Sequence, residues 1–380
     1  MQGARAILIA WLALVLAACV SVPDRPDVPA GAQVTARVDG FGDIRLWEDA
    51  PAEVWRAWRE AMIAQRKEAG PTDRFEMLVI SSGSDKGAYS AGFLNGWSQA
   101  GTRPEFNLVS GVSTGALIAP FAYLGSDYDP QLRALYTQIN ADMIYRTTAL
   151  KGLLGGTSLA STEPLAELIA SYADEALIDA VAAEQRKGRR LLVQTTNLDA
   201  ERGVVWDMGA IAASDSPARY DLFRKILLGS ASIPGFFPPV LIDVQSEALQ
   251  FAELHVDGGT TSSLVAIPPA VIFSRDEEII EGRGRITVLY NGALEPVYRV
   301  TKPDAFTIMS RALTTALKTA DQRSLAALRL YADGNGLKLD IHDAGDAGED
   351  PDVDLFDQEF MRGLCEIGLR GALGARPTAA

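Results

Sequence analysis

Apolar positions along this chain alternate between two rhythms. Met77-Leu78-Val79-Ile80 is a continuous apolar run that breaks into Ser81-Ser82-Gly83, the pattern of a strand buried on both faces. Residues 87–99 then carry apolar positions at helical spacing, residues 107–110 return to a strand, and residues 114–123 predict a second helix. The alternation continues. Residues 163–184 predict a helix, 190–195 and 204–206 strands, 220–228 a helix, 249–256 and 285–290 strands. A long helical stretch follows at 304–331, and a closing helix at 356–373. Ahead of this block, residues 44–47 suggest a short strand and 51–68 a helix with Pro51 at its first turn. Strands alternating with helices predict an α/β fold, a mainly parallel central sheet covered by helices on both faces in three layers. No internal repeat is visible and no linker follows Gly70, so residues 71–380 read as one domain.

The first forty residues follow another pattern. Arg5 precedes an almost purely apolar stretch from Ala6 to Ala18, too short for a comfortable transmembrane helix but suited to the core of a secretory signal. It ends Leu16-Ala17-Ala18-Cys19, which resembles a bacterial lipobox in which the cysteine is diacylated and becomes the first mature residue. Residues 1–18 are therefore expected to be a lipoprotein signal peptide, Cys19 the lipid attachment site, and residues 19–70 a tether and N-terminal extension. Pro23, Pro26 and Pro29 among small and polar residues mark 20–40 as the tether. Val20 rather than Asp after the cysteine favours the outer membrane, facing the periplasm. With Cys19 acylated, the one other cysteine, Cys365, has no intramolecular partner and no disulfide is expected.

Charge narrows the partners. A formal net charge of -14 leaves no electrostatic footprint for nucleic acid. It also disfavours anionic headgroups, so membrane contact is assigned to the N-terminal acyl chains. Oligomeric state is not legible.

Three constellations carry chemistry. Gly111-Val112-Ser113-Thr114-Gly115 lies between a predicted strand and a predicted helix. A sharp turn there lifts a hydroxyl out of the sheet, and the helix start points amides and a positive dipole end at it. Gly156-Thr157-Ser158-Leu159-Ala160 approximates the motif but lacks a preceding strand. Residues 81–88 form a second strand-to-helix junction rich in small residues, whose amides can converge on developing negative charge. It is neither a dinucleotide fingerprint nor a phosphate loop, since Ser82 and Ser84 stand where glycine would be wanted. The third is Asp257, at the end of a strand and followed by Gly258-Gly259, the best-placed carboxylate for the carboxyl edge of a parallel sheet. His255 shares its strand face.

The chain has two histidines, His255 and His342. A Ser-His-Asp triad would have to use one of them, in the chain order Ser113, Asp257, His342, although His342 sits in an acidic stretch that reads as a solvated loop. The other option is a Ser-Asp dyad, in which partial desolvation raises a carboxylate toward the range of a general base. No H-E-x-x-H or cysteine pair with zinc spacing is present, so no metal or other cofactor is expected.

In this order the three pieces resemble the patatin-like phospholipase family, with its glycine-rich oxyanion loop, G-x-S-x-G nucleophile and late D-G-[GA] base. The resemblance implies a serine acyl hydrolase acting on acyl esters of phospholipids or related lipids. Ser113 would be nucleophile, Asp257 general base, and the backbone of Gly83, Ser84 and Asp85 the oxyanion hole. Residues 195–199, 231–239 and 360–362 resemble a lipoprotein-type branch. Ser82 and Ser84 replace family glycines, which stiffens the loop. A non-catalytic envelope lipoprotein retaining the fold is the alternative from a different class. Residues 234–239 read as buried packing rather than an acyl-chain contact, and residues 151–156 as a candidate flap.

Overall fold

The computed structural model describes residues 25, 27–69, 74–147, 158–247, 249–265, 268–272, 284–349 and 353–374. The expected signal peptide, Cys19 and the candidate flap at 151–156 lie outside these residues.

The frame is a nine-stranded mixed sheet. Its strands are β1 (Arg45–Trp47), β2 (Phe75–Ile80), β3 (Leu108–Val112), β4 (Arg190–Asn197), β5 (Arg202–Asp207), β6 (Val240–Ser246), β7 (Leu249–Asp257), β8 (Gly284–Tyr290) and β9 (Lys338–Asp343). Their order is β1-β5-β4-β3-β2-β8-β9. From β4 to β9 neighbouring strands run parallel, with Met77 opposite Leu108 on one side and Ile286 on the other. β5 and β1 extend the sheet antiparallel. The far end of β4 also pairs antiparallel with β7, bringing Asp257 opposite Thr195.

Helices cover both faces. α1 (Ala52–Ala69) and α8 (Ala305–Gly334) lie on one; α2 (Gly87–Gln99), α3 (Thr114–Leu124), α4 (Asp129–Thr137), α5 (Glu163–Tyr172), α6 (Glu175–Arg186), α7 (Arg219–Ser230) and α9 (Gln358–Gly374) build the other layer. The continuous apolar run of β2 follows from this. Met77 and Val79 enter the core under α1 and α8, while Leu78 and Ile80 enter the core under α2 and α3. Both sets are needed because neither face meets water.

Several boundaries differ from the expectation. The stretch 163–184 is two helices, because Asp174 caps a new start by accepting the Leu177 amide at 2.8 Å. β6 was not anticipated, although its burial alternates along the strand, as expected of a hairpin half facing the core. His342 lies in edge strand β9 and not in a solvated loop. The described part of the expected tether packs on the body. Ala36 and Val38 are buried, and Arg37 exchanges backbone hydrogen bonds of 2.9 and 2.8 Å with Gln245 of β6. Alternate apolar positions let this segment behave as an added edge.

α2 and α9 meet at backbone distance. A Cβ on Gly92 would collide with the Cys365 carbonyl, one on Gly96 with the Leu369 carbonyl, and one on Gly368 with the Tyr89 carbonyl. Gly92→Ala should therefore push the helices apart and cost about 1–3 kcal/mol, read as a lower midpoint in thermal denaturation. An unchanged midpoint would contradict this contact.

Candidate active site

The turn from β3 into α3 carries Ser113 at φ +56°, ψ -122°, a conformation that a non-glycine residue occupies only when its surroundings enforce it. They do so through the flanking glycines. A Cβ on Gly111 would strike the Gly115 carbonyl, and a Cβ on Gly115 would strike the Ile80 and Ser81 carbonyls of the adjacent β2 end. The Ser113 amide donates to Ser230 Oγ at 3.0 Å, and that hydroxyl donates to the Gln194 carbonyl at 2.7 Å. The turn is thus tied to α7 and β4 as well as to its own strand.

Asp257 arrives from the end of β7. Its Oδ2 accepts from Ser113 Oγ at 2.6 Å. Its Oδ1 accepts the Gly259 amide at 2.8 Å, and its own amide donates to the Ser232 carbonyl at 2.8 Å. Gly258 packs against the Gln194 backbone, where a Cβ would not fit. Both Ser113 and Asp257 are 5% exposed. Burial raises the Asp257 carboxyl from 3.8 to about 7, against the smaller opposing effect of its bonds from Ser113 and Gly259. A carboxyl in that range is suited to exchanging a proton near neutrality.

Neither histidine meets this pair. His255 is fully buried beneath it, with Nδ1 2.8 Å from Thr195 Oγ1 and Nε2 3.0 Å from Glu253 Oε2. Desolvation lowers its pKa. Arg45 completes this cluster with paired hydrogen bonds to Glu253. The His342 ring packs on Phe93, centroids 4.5 Å apart. It stands on β9, three strands from β3, roughly 14 Å away at about 4.8 Å per strand. The chain order Ser113, Asp257, His342 is therefore not matched by a triad in space.

The junction after β2 forms a single 3-10 turn, Ser84–Lys86, leading into α2. Gly83 has φ +156° and no room for a Cβ beside Asn291. Ser84, where a family glycine is expected, is held at φ +56°. The first amides of such a turn have no acceptor within it. The Asp85 carboxylate is buried and accepts the Phe356 amide at 3.0 Å. Burial raises its pKa, opposed by bonds from that amide and from the amides of Asp85 itself and Lys86. Asp85 thereby secures the loop to the segment before α9. Lys86 lies 3.6 Å from Glu349.

Asn291, just past β8, braces the loop from the other side. Its Nδ2 donates to the Ser81 carbonyl at 2.9 Å, its amide donates to Ser81 Oγ at 2.8 Å, and its Oδ1 accepts from Ser90 Oγ at 2.6 Å. Behind the Asp257 turn, Gln194 Nε2 donates to Thr261 Oγ1 at 3.1 Å and to Glu48 Oε2 at 3.2 Å. Burial and the neighbouring Asp49 raise Glu48 to about 7, against bonds from Gln194, Ser262 and Thr261. Asn291, Ser230, Gln194 and Glu48 escaped the sequence reading, since a lone polar residue at a strand end carries no spacing signal.

From Ser113 and Ser84 an apolar pocket runs beneath α3, walled by Leu117, Ile144, Leu165, Phe237 and Phe356 among others. Phe237 is both core, at 3% exposed, and pocket wall, so the apolar stretch 234–239 serves packing and lines the cleft. Thr114 Oγ1 and Tyr136 OH, 2.5 Å apart, form a polar spot there. Among the described residues, no group of three or more His, Cys, Asp or Glu could hold a metal ion.

No curated protein matches the chain. Among solved structures, the crystal structure of VipD from Legionella pneumophila is similar at 12% sequence identity and a TM-score of 0.42, over 80% of this chain and 66% of that one. The chain thus spans just under two thirds of that structure's length. The family model for patatin-like phospholipase matches residues 78–270, slightly more than half of the chain and the span that holds both Ser113 and Asp257. The chain belongs to the patatin-like phospholipase family.

Proposed function

We propose that this protein is a serine acyl hydrolase that cleaves acyl esters of phospholipids or related lipids through a Ser113–Asp257 dyad. The observation that carries the reading is the 2.6 Å hydrogen bond between a strained, buried serine hydroxyl and a buried carboxylate, with both histidines of the chain engaged elsewhere.

In the proposed reaction an acyl chain lies in the apolar pocket, which brings its ester carbonyl to Ser113 Oγ. Asp257 accepts the serine proton as Oγ attacks, and the amides of Gly83, Ser84 and Asp85 receive the developing oxyanion. The intermediate collapses to an acyl-enzyme as Asp257 returns the proton to the departing alkoxide. Water, deprotonated by the same carboxylate, then releases the fatty acid. A carboxyl near neutrality suits an alcohol leaving group, which asks less of the acid step than an amine does. Phospholipase A-type cleavage is the form of this chemistry that the family favours.

Residues 71–380 form the proposed catalytic domain. We further propose that Cys19 is diacylated after removal of residues 1–18 and holds this domain on the outer membrane facing the periplasm. That reading rests on the sequence around Cys19. In bacteria fed a radiolabelled fatty acid, the protein should take up label and Cys19→Ser should take up none. Label retained in Cys19→Ser would refute the anchor.

Ser113→Ala and Asp257→Asn should each lower ester turnover by at least about a thousandfold, whereas His342→Ala should change it by less than about tenfold. Retained turnover in either of the first two variants would overturn the dyad. kcat/KM should rise with pH through an apparent pKa near 7, as Asp257 ionises in the free enzyme.

The same carboxyl makes stability fall with pH. Its pKa is higher in the folded state, so its stabilising effect is complete below about 4 and is lost as pH rises to about 7. Asp257→Asn escapes up to about 4 kcal/mol of this burial cost at pH 8. Its melting midpoint should exceed that of the unaltered protein at pH 8, with the gap closing toward pH 4. A gap that does not vary with pH would show that the carboxyl is not perturbed.

A further inference from the structure

α8 is much longer than the strand it follows. Its 30 residues span about 45 Å, whereas the seven residues of β8 span about 23 Å. Only its C-terminal part is held in the core, through Leu325, Leu328, Tyr331 and Ala332. Among the described residues from 305 to 320 none is buried. Because α8 leaves the carboxyl end of β8 and returns to the start of the parallel strand β9, its projecting first half stands on the sheet edge that also carries Ser113.

That half is amphipathic in an inverted sense. At about 100° per residue, Ala305, Ile308, Met309, Ala312, Leu313 and Ala316 fall within one arc of roughly 140°. Ile308, Met309 and Leu313 are 51%, 64% and 61% exposed. The opposite, polar side faces the body, where Arg311 donates to the Val297 carbonyl at 2.7 Å and Lys318 lies 3.4 Å from Glu349. The segment leading into the helix adds Tyr298 and Val300, 92% and 81% exposed. Charge departs from the rest of the molecule as well. In a chain of net charge -14, residues 296–316 hold the exposed Arg299 and Lys302 against the single acidic residue Asp304, with Arg311 turned to the body.

We propose that residues 296–316 form a docking arm that lays its apolar face into an anionic lipid surface and brings the site edge against the bilayer. Apolar side chains entering the headgroup region beside exposed basic residues such as Arg299 and Lys302 are what an anionic lipid interface takes up, and a second copy of the chain is the competing occupant that the test separates. The arm deepens the lipid-hydrolase reading and rests on it for its purpose, although not for its binding.

The test uses the full chain carrying Cys19→Ser, Ser113→Ala and Met309→Cys, labelled at position 309 with an environment-sensitive fluorophore. Cys365 is buried and stays unlabelled. Vesicles of equal phosphatidylcholine and phosphatidylglycerol should shift the emission to the blue, with a smaller shift on phosphatidylcholine alone. No shift on either vesicle overturns the proposal. So does a shift that appears without vesicles as protein concentration rises, which would identify a second copy as the occupant. In the otherwise unaltered chain, Ile308→Asp with Leu313→Asp should lower turnover of vesicle substrate at least about tenfold and leave turnover of a dissolved short-chain ester unchanged. Unaltered vesicle turnover, or equal loss on both substrates, overturns it. Absence of dissolved-ester turnover in the unaltered chain would instead remove the hydrolase reading, and the fluorescence arm would still judge the docking.

Discussion

A carboxylate is held out of water against one hydroxyl, and much of the molecule exists to keep it there. Asp257 has two polar contacts on its side chain, from Ser113 and Gly259, too few to replace full hydration. Its burial is therefore a strain that the fold must impose. The imposition is distributed. β7 delivers the carboxyl, the glycine after it lets the turn press on Gln194, and Gln194 supports the Ser113 turn through Ser230. One residue of β4 thereby contacts the supports of both reacting groups, and it shares its side chain with Glu48 from the N-terminal extension.

This arrangement explains which features were legible in the sequence. The parallel core strands were, because burial on both faces forces continuous apolar runs such as 77–80. The nucleophile turn was, because its two glycines are demanded by close backbone approach. The position of Asp257 was, because the glycines after it mark a tight turn with close backbone approach at the end of a strand. β6 and β9 were not, since charged and polar residues interrupt their apolar positions, Asp243 at an exposed position of β6 and Lys338, Asp340, His342 and Asp343 along a β9 that is half-buried throughout. His342 looked solvated because of the acidic residues around it, whereas its ring is stacked on Phe93. Asp85 has a second role that the sequence did not reveal. A residue counted only for its backbone turns out to hold the loop by its side chain.

The N-terminal extension changes character between sequence and structure. Its first part, 20–40, reads as a tether, yet from about Ala36 this segment already packs along the sheet, ahead of the expected strand at 44–47. Arg45 reaches the buried Glu253–His255 pair and lies 5.3 Å from the Trp206 ring centroid. A guanidinium is well suited to this, since its planar fork can satisfy a carboxylate while its face stacks on an aromatic ring. The family match begins at residue 78, so Arg45 lies ahead of it while Trp206, Glu253 and His255 lie within it.

The wide separation of the site's parts along the chain has a consequence for timing. Ser113 and Asp257 are 144 positions apart, and the loop beside them is closed only by Asn291 and Phe356, later still. Non-local contacts of this kind form late, after the long intervening loops have been closed. A growing or unfolded polypeptide therefore has neither a paired Ser113 hydroxyl nor a closed loop beside it until nearly its whole length has been made and collapsed. Whatever chemistry this pair performs is thus latent by topology until the chain has folded.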